Sequence, residues 1–217
     1  SLHTLEGLSE EDACRAVARG LRGAFAEAAE AEESVTMRGG LILCALRSHP
    51  APHALRTATL AKKLLHLGGG GEDDGDGGEV GVVGFDVAGS EEYPLTLPAI
   101  QEALRFCRRQ GVPVTVHAGE VPRGTLPNLE AALDLPVRRI GHGAALAIGV
   151  DEDNKDAKDE EGGGEGPRGL LSRAAAAGAV VEVCLTAIST ASKGVPSISA
   201  HPIRAMVDAG VAVALSC

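Results

Sequence analysis

Residues 111–120 read Gly111-Val-Pro-Val-Thr-Val-His-Ala-Gly-Glu120, an apolar and β-branched run with two chemically active side chains at its end. Such a run predicts a buried β-strand. His117 and Glu120 are separated only by Ala118 and Gly119, which are too small to obstruct either side chain. An imidazole beside a carboxylate suits a metal ligand next to a proton-transferring acid. Taken alone, the pair fits equally well a solvated His and a helix-capping Glu.

The composition predicts one domain built on a parallel sheet. A chain of 217 residues can form one substantial core, although a complete (β/α)8 barrel typically takes about 250. Trp is absent and there are only one Tyr and three Phe, so the core must consist of Ala, Val, Leu and Ile. That composition is typical of a parallel sheet packed against Ala-rich helices.

The net charge of −10 comes from two acidic, Gly-rich segments. Residues 68–79 carry −5 and residues 151–165 carry −6, which leaves about +1 elsewhere. We expect disordered insertions at 68–79 and 151–167. The first lacks the Lys-Ser/Thr ending of a phosphate loop, and the second has Lys155 at a ligand position of a calcium loop. The remaining charge predicts neither a nucleic-acid partner nor a membrane surface.

The cysteines indicate a reducing compartment. Their number, five, is odd, no Cys-x-x-Cys spacing occurs, and Cys44, Cys107 and Cys184 lie within apolar patterns. This favours reduced and mostly buried thiols. Because no signal peptide or long apolar span is present either, we expect a cytoplasmic protein.

Strand and helix patterns alternate along the chain. Ser9 followed by three acids predicts the start of a helix that runs to about residue 33. Further helices are predicted from Pro50, over 98–109 and 126–133, around 174–177 and over 201–209, with a loop at 187–200. Strands are predicted at 41–46, 80–89, 111–120, 138–143, 179–186 and 211–215. Without hairpin signals between strands, this alternation indicates parallel strands joined by right-handed crossovers.

The polar residues with chemical potential follow the predicted strands. In barrels and open α/β sheets, active sites lie at the carboxyl ends of the strands. Glycines flank His142 and leave it accessible, although alone it also fits a surface His in a turn. The shared location favours an active site formed by Asp86, His117, Glu120, His142 and Thr186.

Four motifs together resemble the adenosine/AMP deaminase family of metal-dependent barrels. They are Phe85-Asp-Val-Ala-Gly89, His117-Ala-Gly-Glu120, Arg139-Ile-Gly-His-Gly143 and Val183-Cys-Leu-Thr186, in the family's order. The resemblance covers about residues 35–217. It implies a partial (β/α)8 barrel with about six of eight units. It also implies Zn²⁺ and hydrolysis of a 6-aminopurine nucleoside or nucleotide to the 6-oxopurine.

The resemblance also implies roles for individual residues. His117 would bind zinc, Glu120 would protonate a purine ring nitrogen, and His142 would orient and help deprotonate the attacking water. Asp86 and Gly89 would contribute to substrate binding. Glu120-Val121-Pro122 and Cys184-Leu185-Thr186 resemble the branch acting on N6-methyl-AMP, with adenosine as the alternative substrate.

Two family features are absent from the sequence. The family's first strand carries a His-x-His pair and its last an Asp-Asp pair, but no His-x-His occurs here and the chain stops at Ser216-Cys217. We therefore expect a fragment of a zinc purine deaminase that is inactive alone, because one imidazole cannot hold a catalytic zinc. The alternative is a degenerate barrel that binds a nucleotide or a protein partner without catalysis. The oligomeric state stays open.

Overall fold

A computed structural model describes residues 7–31, 39–65, 80–121, 124–135, 137–147, 167–190 and 195–216. The described residues form one parallel sheet with the strands in chain order. Its strands are β1 (Leu41–Leu46), β2 (Val82–Ala88), β3 (Val114–Ala118), β4 (Arg139–His142), β5 (Val180–Val183) and β6 (Ala212–Leu215). The predicted alternation is confirmed, and each observed strand lies within its predicted range.

Helices follow the strands and cover the sheet. They are α1 (Glu10–Ala31), α2 (Pro52–Leu64), α3 (Pro98–Gln110), α4 (Leu126–Asp134), α5 (Pro167–Ala176), α6 (Leu185–Thr190) and α7 (Ile203–Asp208). Two 3₁₀ turns lie at Ala144–Leu146 and Ile198–Ala200. Six parallel strands in sequence order with intervening helices confirm the partial (β/α)8 barrel. In the described sheet, β1 and β6 are the outer strands.

Local signals in the sequence place the helix ends. The Ser9 hydroxyl accepts a hydrogen bond from the Asp12 amide at 3.0 Å, as an N-cap should. Pro98 begins α3, where its missing N–H costs nothing. The same helix ends at Gly111 in the left-handed conformation, with φ +67°. These caps fix where each crossover returns to the sheet.

The hydrophobic core lies between the sheet and its helices. Alternate strand residues point into it, so Phe85 and Val87 of β2 are fully buried. Each such large side chain contributes about 1.5–3 kcal/mol relative to leaving it in water. The core also contains Leu104, Val116, Leu129, Ile140, Leu170 and Val181.

Three details of the sequence prediction are wrong: the loop at 187–200, the strand-end position of Thr186 and the burial of Cys44. The predicted loop at 187–200 contains most of α6, so Thr186 lies in a helix rather than at a strand end. Cys44 is exposed rather than buried, because β1 is an outer strand and one of its faces is uncovered. Cys107 is buried as expected. The predicted insertions at 68–79 and 151–167 lie outside the described residues, except that Pro167 begins α5.

In the described part of the chain, no helix is long and apolar enough to cross a membrane.

Candidate active site

The parallel register brings together polar residues in the carboxyl-terminal halves of β2, β3 and β4. Asp86 pairs with Thr115, and two residues further along β3 His117 pairs with Gly141 of β4. His142 pairs with Ala118 at the end of the same strand. Since neighbouring parallel strands end at the same edge, the side chains of Asp86, His117 and His142 meet there. This is the rim that the sequence predicts.

The half-exposed His117 pairs with the buried Asp86. The His117 Nδ1 lies 3.2 Å from Asp86 Oδ1 and 3.1 Å from Oδ2. The hydrogen bond with Asp86 raises the pKa of His117 above its usual value, opposed by burial, with Glu120 and Glu182 adding to the increase. A carboxylate that accepts Nδ1–H selects the tautomer with a lone pair on Nε2. His117 is thereby oriented as a ligand or acceptor through Nε2.

Glu120 and His142 lie beside this pair. The Glu120 Oε1 is 3.6 Å from His142 Nε2, and the His117 and His142 rings are 5.2 Å apart between centroids, at 65°. His142 is only 8% exposed, and its φ of +70° is unusual for a residue with a side chain. Backbone strain of this kind is concentrated at functional sites. The arrangement therefore combines two imidazoles and a carboxylate that can exchange protons.

Two glycines make this arrangement possible. Gly119 has φ +72°, and a Cβ there would lie 2.6 Å from Leu129 Cδ1. A Cβ on Gly141 would lie 3.3 Å from Cγ of the His117 ring. The first glycine permits the turn between His117 and Glu120, and the second gives the imidazole room across the sheet. Glycine at both motif positions thus has a steric reason.

Sequence reasoning missed Arg47, which follows β1 directly and is 3% exposed. Its Nη2 donates to the His117 carbonyl and its Nη1 donates to the Tyr93 carbonyl at 3.2 Å. Burial lowers the pKa of the guanidinium, whereas the carboxylates of Glu91 and Asp86 raise it. The sequence signal that could have identified Arg47 is a single charged residue directly after an apolar strand.

Glu91 and Asn128 were also missed. The Glu91 carboxylate accepts hydrogen bonds from the Gly119 and Glu120 amides, and Asn128 donates to Glu91. Neither residue lies at a strand end, so the strand pattern gave no signal for them. Together with Arg47 they hold the backbone that carries His117 and Glu120.

The remaining predicted residues lie near the rim but outside this cluster of side chains. Gly89 follows β2, is exposed and has φ +100°, and a Cβ there would lie 3.5 Å from the Arg47 amide nitrogen. Gly89 therefore lies against the end of β1. Thr186 lies in the first turn of α6, after β5.

The described residues do not complete a zinc site by themselves. A catalytic zinc takes three protein ligands. Among the residues that the structure describes, no group of three or more His, Cys, Asp or Glu side chains could hold a metal ion. His117, oriented by Asp86, has the arrangement of a single ligand.

Solved structures share the fold of this chain. An amidohydrolase from Burkholderia ambifaria, determined with bound Zn, superposes with a TM-score of 0.66 at 22% identity, covering 99% of this chain and 49% of the other. Arabidopsis ADAL complexed with IMP gives a TM-score of 0.56 at 25% identity, covering 81% of this chain and 41% of the other.

Known sequences are similar along the whole chain. An adenosine deaminase from Enterococcus faecalis is 28% identical over 217 residues, which is 100% of this chain and 52% of the relative. One from Haemophilus ducreyi is 36% identical over 143 residues, 65% of this chain and 36% of the relative. The chain thus spans about half or less of the length of these curated relatives. The adenosine deaminase family profile matches residues 1–217, and the chain belongs to that family.

Proposed function

We propose that the full-length protein deaminates a 6-aminopurine nucleoside or nucleotide by hydrolysis. The observation that carries the proposal is the convergence of Glu120, His142 and the His117–Asp86 pair on one rim. Family membership and the relatives named adenosine deaminase support the reaction class. Because these relatives are about twice as long, the activity is proposed for the whole protein.

The reaction needs a proton donor for a purine ring nitrogen and a base for the attacking water. Water adds to C6 and gives one proton to the base while a ring nitrogen gains a proton from the acid. The C6–N bond then breaks as the base passes its proton to the leaving nitrogen, releasing ammonia or an amine, and the C6 hydroxyl returns its proton to the acid. We assign delivery of the ring proton to Glu120 and acceptance of the water proton to His142. The 3.6 Å between Glu120 Oε1 and His142 Nε2 supports assigning both groups to the same reacting carbon.

For His117 we propose the role of a zinc ligand, with further ligands from residues outside those described. A zinc ion held in part by His117 would lower the pKa of a bound water toward about 7 and would so make a nucleophile available at neutral pH. Asp86, which is 6% exposed, then acts by orienting His117. This differs from the direct substrate contact predicted for Asp86. The exposed Gly89 backbone stays the proposed purine contact.

As the preferred substrate we propose an N6-substituted AMP such as N6-methyl-AMP. The support is Glu120-Val121-Pro122, Cys184-Leu185-Thr186 and the 25% identity to ADAL, which was crystallised with IMP. Adenosine is the competing substrate, favoured by the named relatives. A higher kcat/KM for N6-methyl-AMP than for adenosine would decide for the first.

We further propose a cytoplasmic location, since no disulfide joins the four described cysteines.

The test is a comparison of matched Glu→Gln variants in the full-length protein. Glu120→Gln removes the proton donor and should lower kcat by about 10²–10⁴-fold. Glu102→Gln, on the exposed face of α3, is the control and should keep the wild-type rate. The measurement is release of ammonia or methylamine with identification of the 6-oxopurine product. Equal rates for the two variants would contradict the assignment of Glu120.

The second candidate function is nucleotide binding without catalysis. The lack of a complete ligand set among the described residues favours it. It predicts binding of a purine nucleotide with no amine release and no zinc by elemental analysis of the full-length protein. Stoichiometric zinc together with amine release would exclude it.

A further inference from the structure

We infer that Glu91 is a positioning residue for Glu120, an inference that rests on the proposed deamination. Glu91 lies in the loop after β2, two residues beyond Gly89. Its Oε2 accepts a hydrogen bond from the Gly119 amide at 3.0 Å, and its Oε1 accepts one from the Glu120 amide at 2.8 Å. One carboxylate therefore holds two consecutive peptide N–H groups.

Asn128 fixes Glu91 in turn. The amide nitrogen of this side chain donates to the Glu91 backbone carbonyl at 3.1 Å and to Glu91 Oε2 at 3.2 Å. Its Oδ1 accepts a hydrogen bond from the Leu95 amide at 2.9 Å. Asn128 is 3% exposed and lies in the first turns of α4. The orientation of the Glu91 carboxylate is thus set by a buried partner on another element.

Arg47 holds the same backbone from the other direction. Its guanidinium donates to the His117 carbonyl, while Glu91 accepts from the amides of the turn that follows. The cationic Arg47 therefore binds one carbonyl, and the anionic Glu91 binds two amides, of the four-residue segment 117–120. Gly119, with φ +72°, gives this segment its turn but no packing of its own.

The Glu91 hydrogen bonds should affect the position of the Glu120 carboxylate rather than the stability of the fold. The Glu120 carboxylate, 3.6 Å from His142 Nε2, projects from the peptide whose N–H Glu91 binds. Proton transfer requires heavy atoms within about 2.6–3.2 Å. A misplacement of about 1 Å can cost about 100-fold in rate. Releasing the Glu120 amide should therefore lower kcat through misplacement of the carboxylate.

The matched variants are Glu91→Gln and Glu92→Gln in the full-length protein. Gln preserves the size of Glu91 but replaces one acceptor oxygen with an NH₂ group facing a peptide N–H. Glu92 is adjacent and exposed, so its replacement controls for the lost charge. We expect Glu91→Gln to lower kcat per folded molecule by about 10–100-fold with little change in KM, and Glu92→Gln to behave as wild type. Glu91→Asp retains both acceptors and should recover part of the rate.

Hydrogen exchange separates positioning from a general loss of structure. Positioning predicts that Glu91→Gln loses protection at the Gly119 and Glu120 amides while residues 114–116 of β3 keep theirs. Loss of protection throughout the sheet would overturn the inference, as would equal kcat values for Glu91→Gln and Glu92→Gln in an active protein. A wild-type protein that deaminates no 6-aminopurine would instead overturn the proposed function, and this inference with it.

Discussion

Replacement of Gly119 by Ala tests whether the turn between His117 and Glu120 is fixed by local sterics. Two costs apply at this position. Its φ of +72° lies in the left-handed region, which costs a residue with a Cβ about 1–2 kcal/mol. In addition, the new Cβ would lie 2.6 Å from Cδ1 and 2.9 Å from Cγ of Leu129, a fully buried side chain.

Gly111 provides a control for the first of these costs. Its φ of +67° is nearly the same, but a Cβ there meets nothing within 4 Å. Both substitutions also reduce the entropy of the unfolded chain, by about 0.4–1 kcal/mol each, and this effect cancels in their difference. Crowding of Leu129 adds the cost of an overpacked core, about 1–3 kcal/mol. Gly119→Ala should therefore destabilise the protein by about 1–3 kcal/mol more than Gly111→Ala.

The assay is urea unfolding of the full-length protein and the two variants, followed by circular dichroism. The unfolding slope m should stay the same in all three, so that the shift in midpoint reports the free energy of unfolding. In a Leu129→Ala background, Gly119→Ala should cost less than it does in the wild type, because the crowded atoms are already absent. Equal destabilisation by Gly119→Ala and Gly111→Ala would refute the steric explanation.

Three further variants test the polar contacts of the fold. Asp86→Asn weakens the orientation of His117 and should lower the zinc affinity of the full-length protein by about 10–100-fold, measured by competition with a chelator. Asn128→Ala leaves the buried Leu95 amide without its acceptor and should lower the free energy of unfolding by about 1–3 kcal/mol in urea. Burial lowers the pKa of His201, so protons bind the unfolded state preferentially and stability falls as pH drops below about 6.5. Unfolding curves of His201→Gln between pH 7.5 and 5.5 should show a weaker pH dependence than wild type.

The sequence predicted the strands and the shared location of His117, Glu120 and His142 for a related reason. His117 and Glu120 follow a run of apolar and β-branched residues, and His142 ends the short stretch Arg138-Arg-Ile-Gly, so the predicted strand ends also locate these side chains. The parallel order of the sheet then places these ends on one rim. Their distances required the structure, because register decides which neighbouring residues face each other.

Other features could not be predicted because their cause is not local. Glu91 accepts a hydrogen bond from the Glu120 amide, 29 residues away in the sequence, and Asn128 donates to Glu91 from 37 residues away. Polar residues in a loop or helix have the same sequence pattern whether or not they make such contacts. Cys44 lies in an apolar run that has the same appearance in a central strand and an outer one. The helix α6 has six residues, too few for a helical period to be distinguished from a loop of small residues.

The described residues contain the contacts that orient His117 and Glu120, but only part of the proposed set of metal ligands. Arg47 and Glu91 follow β1 and β2, Asp86 lies within β2, and the groups they orient lie on or after β3, which is hydrogen-bonded to β2. The side chains that hold His117 and Glu120 therefore lie among the described residues, whereas those residues provide no complete set of ligands for a metal. The two requirements should then separate by mutation. Glu91→Gln should lower kcat with the zinc content unchanged, and Asp86→Asn should lower zinc affinity because Asp86 orients His117, the proposed ligand.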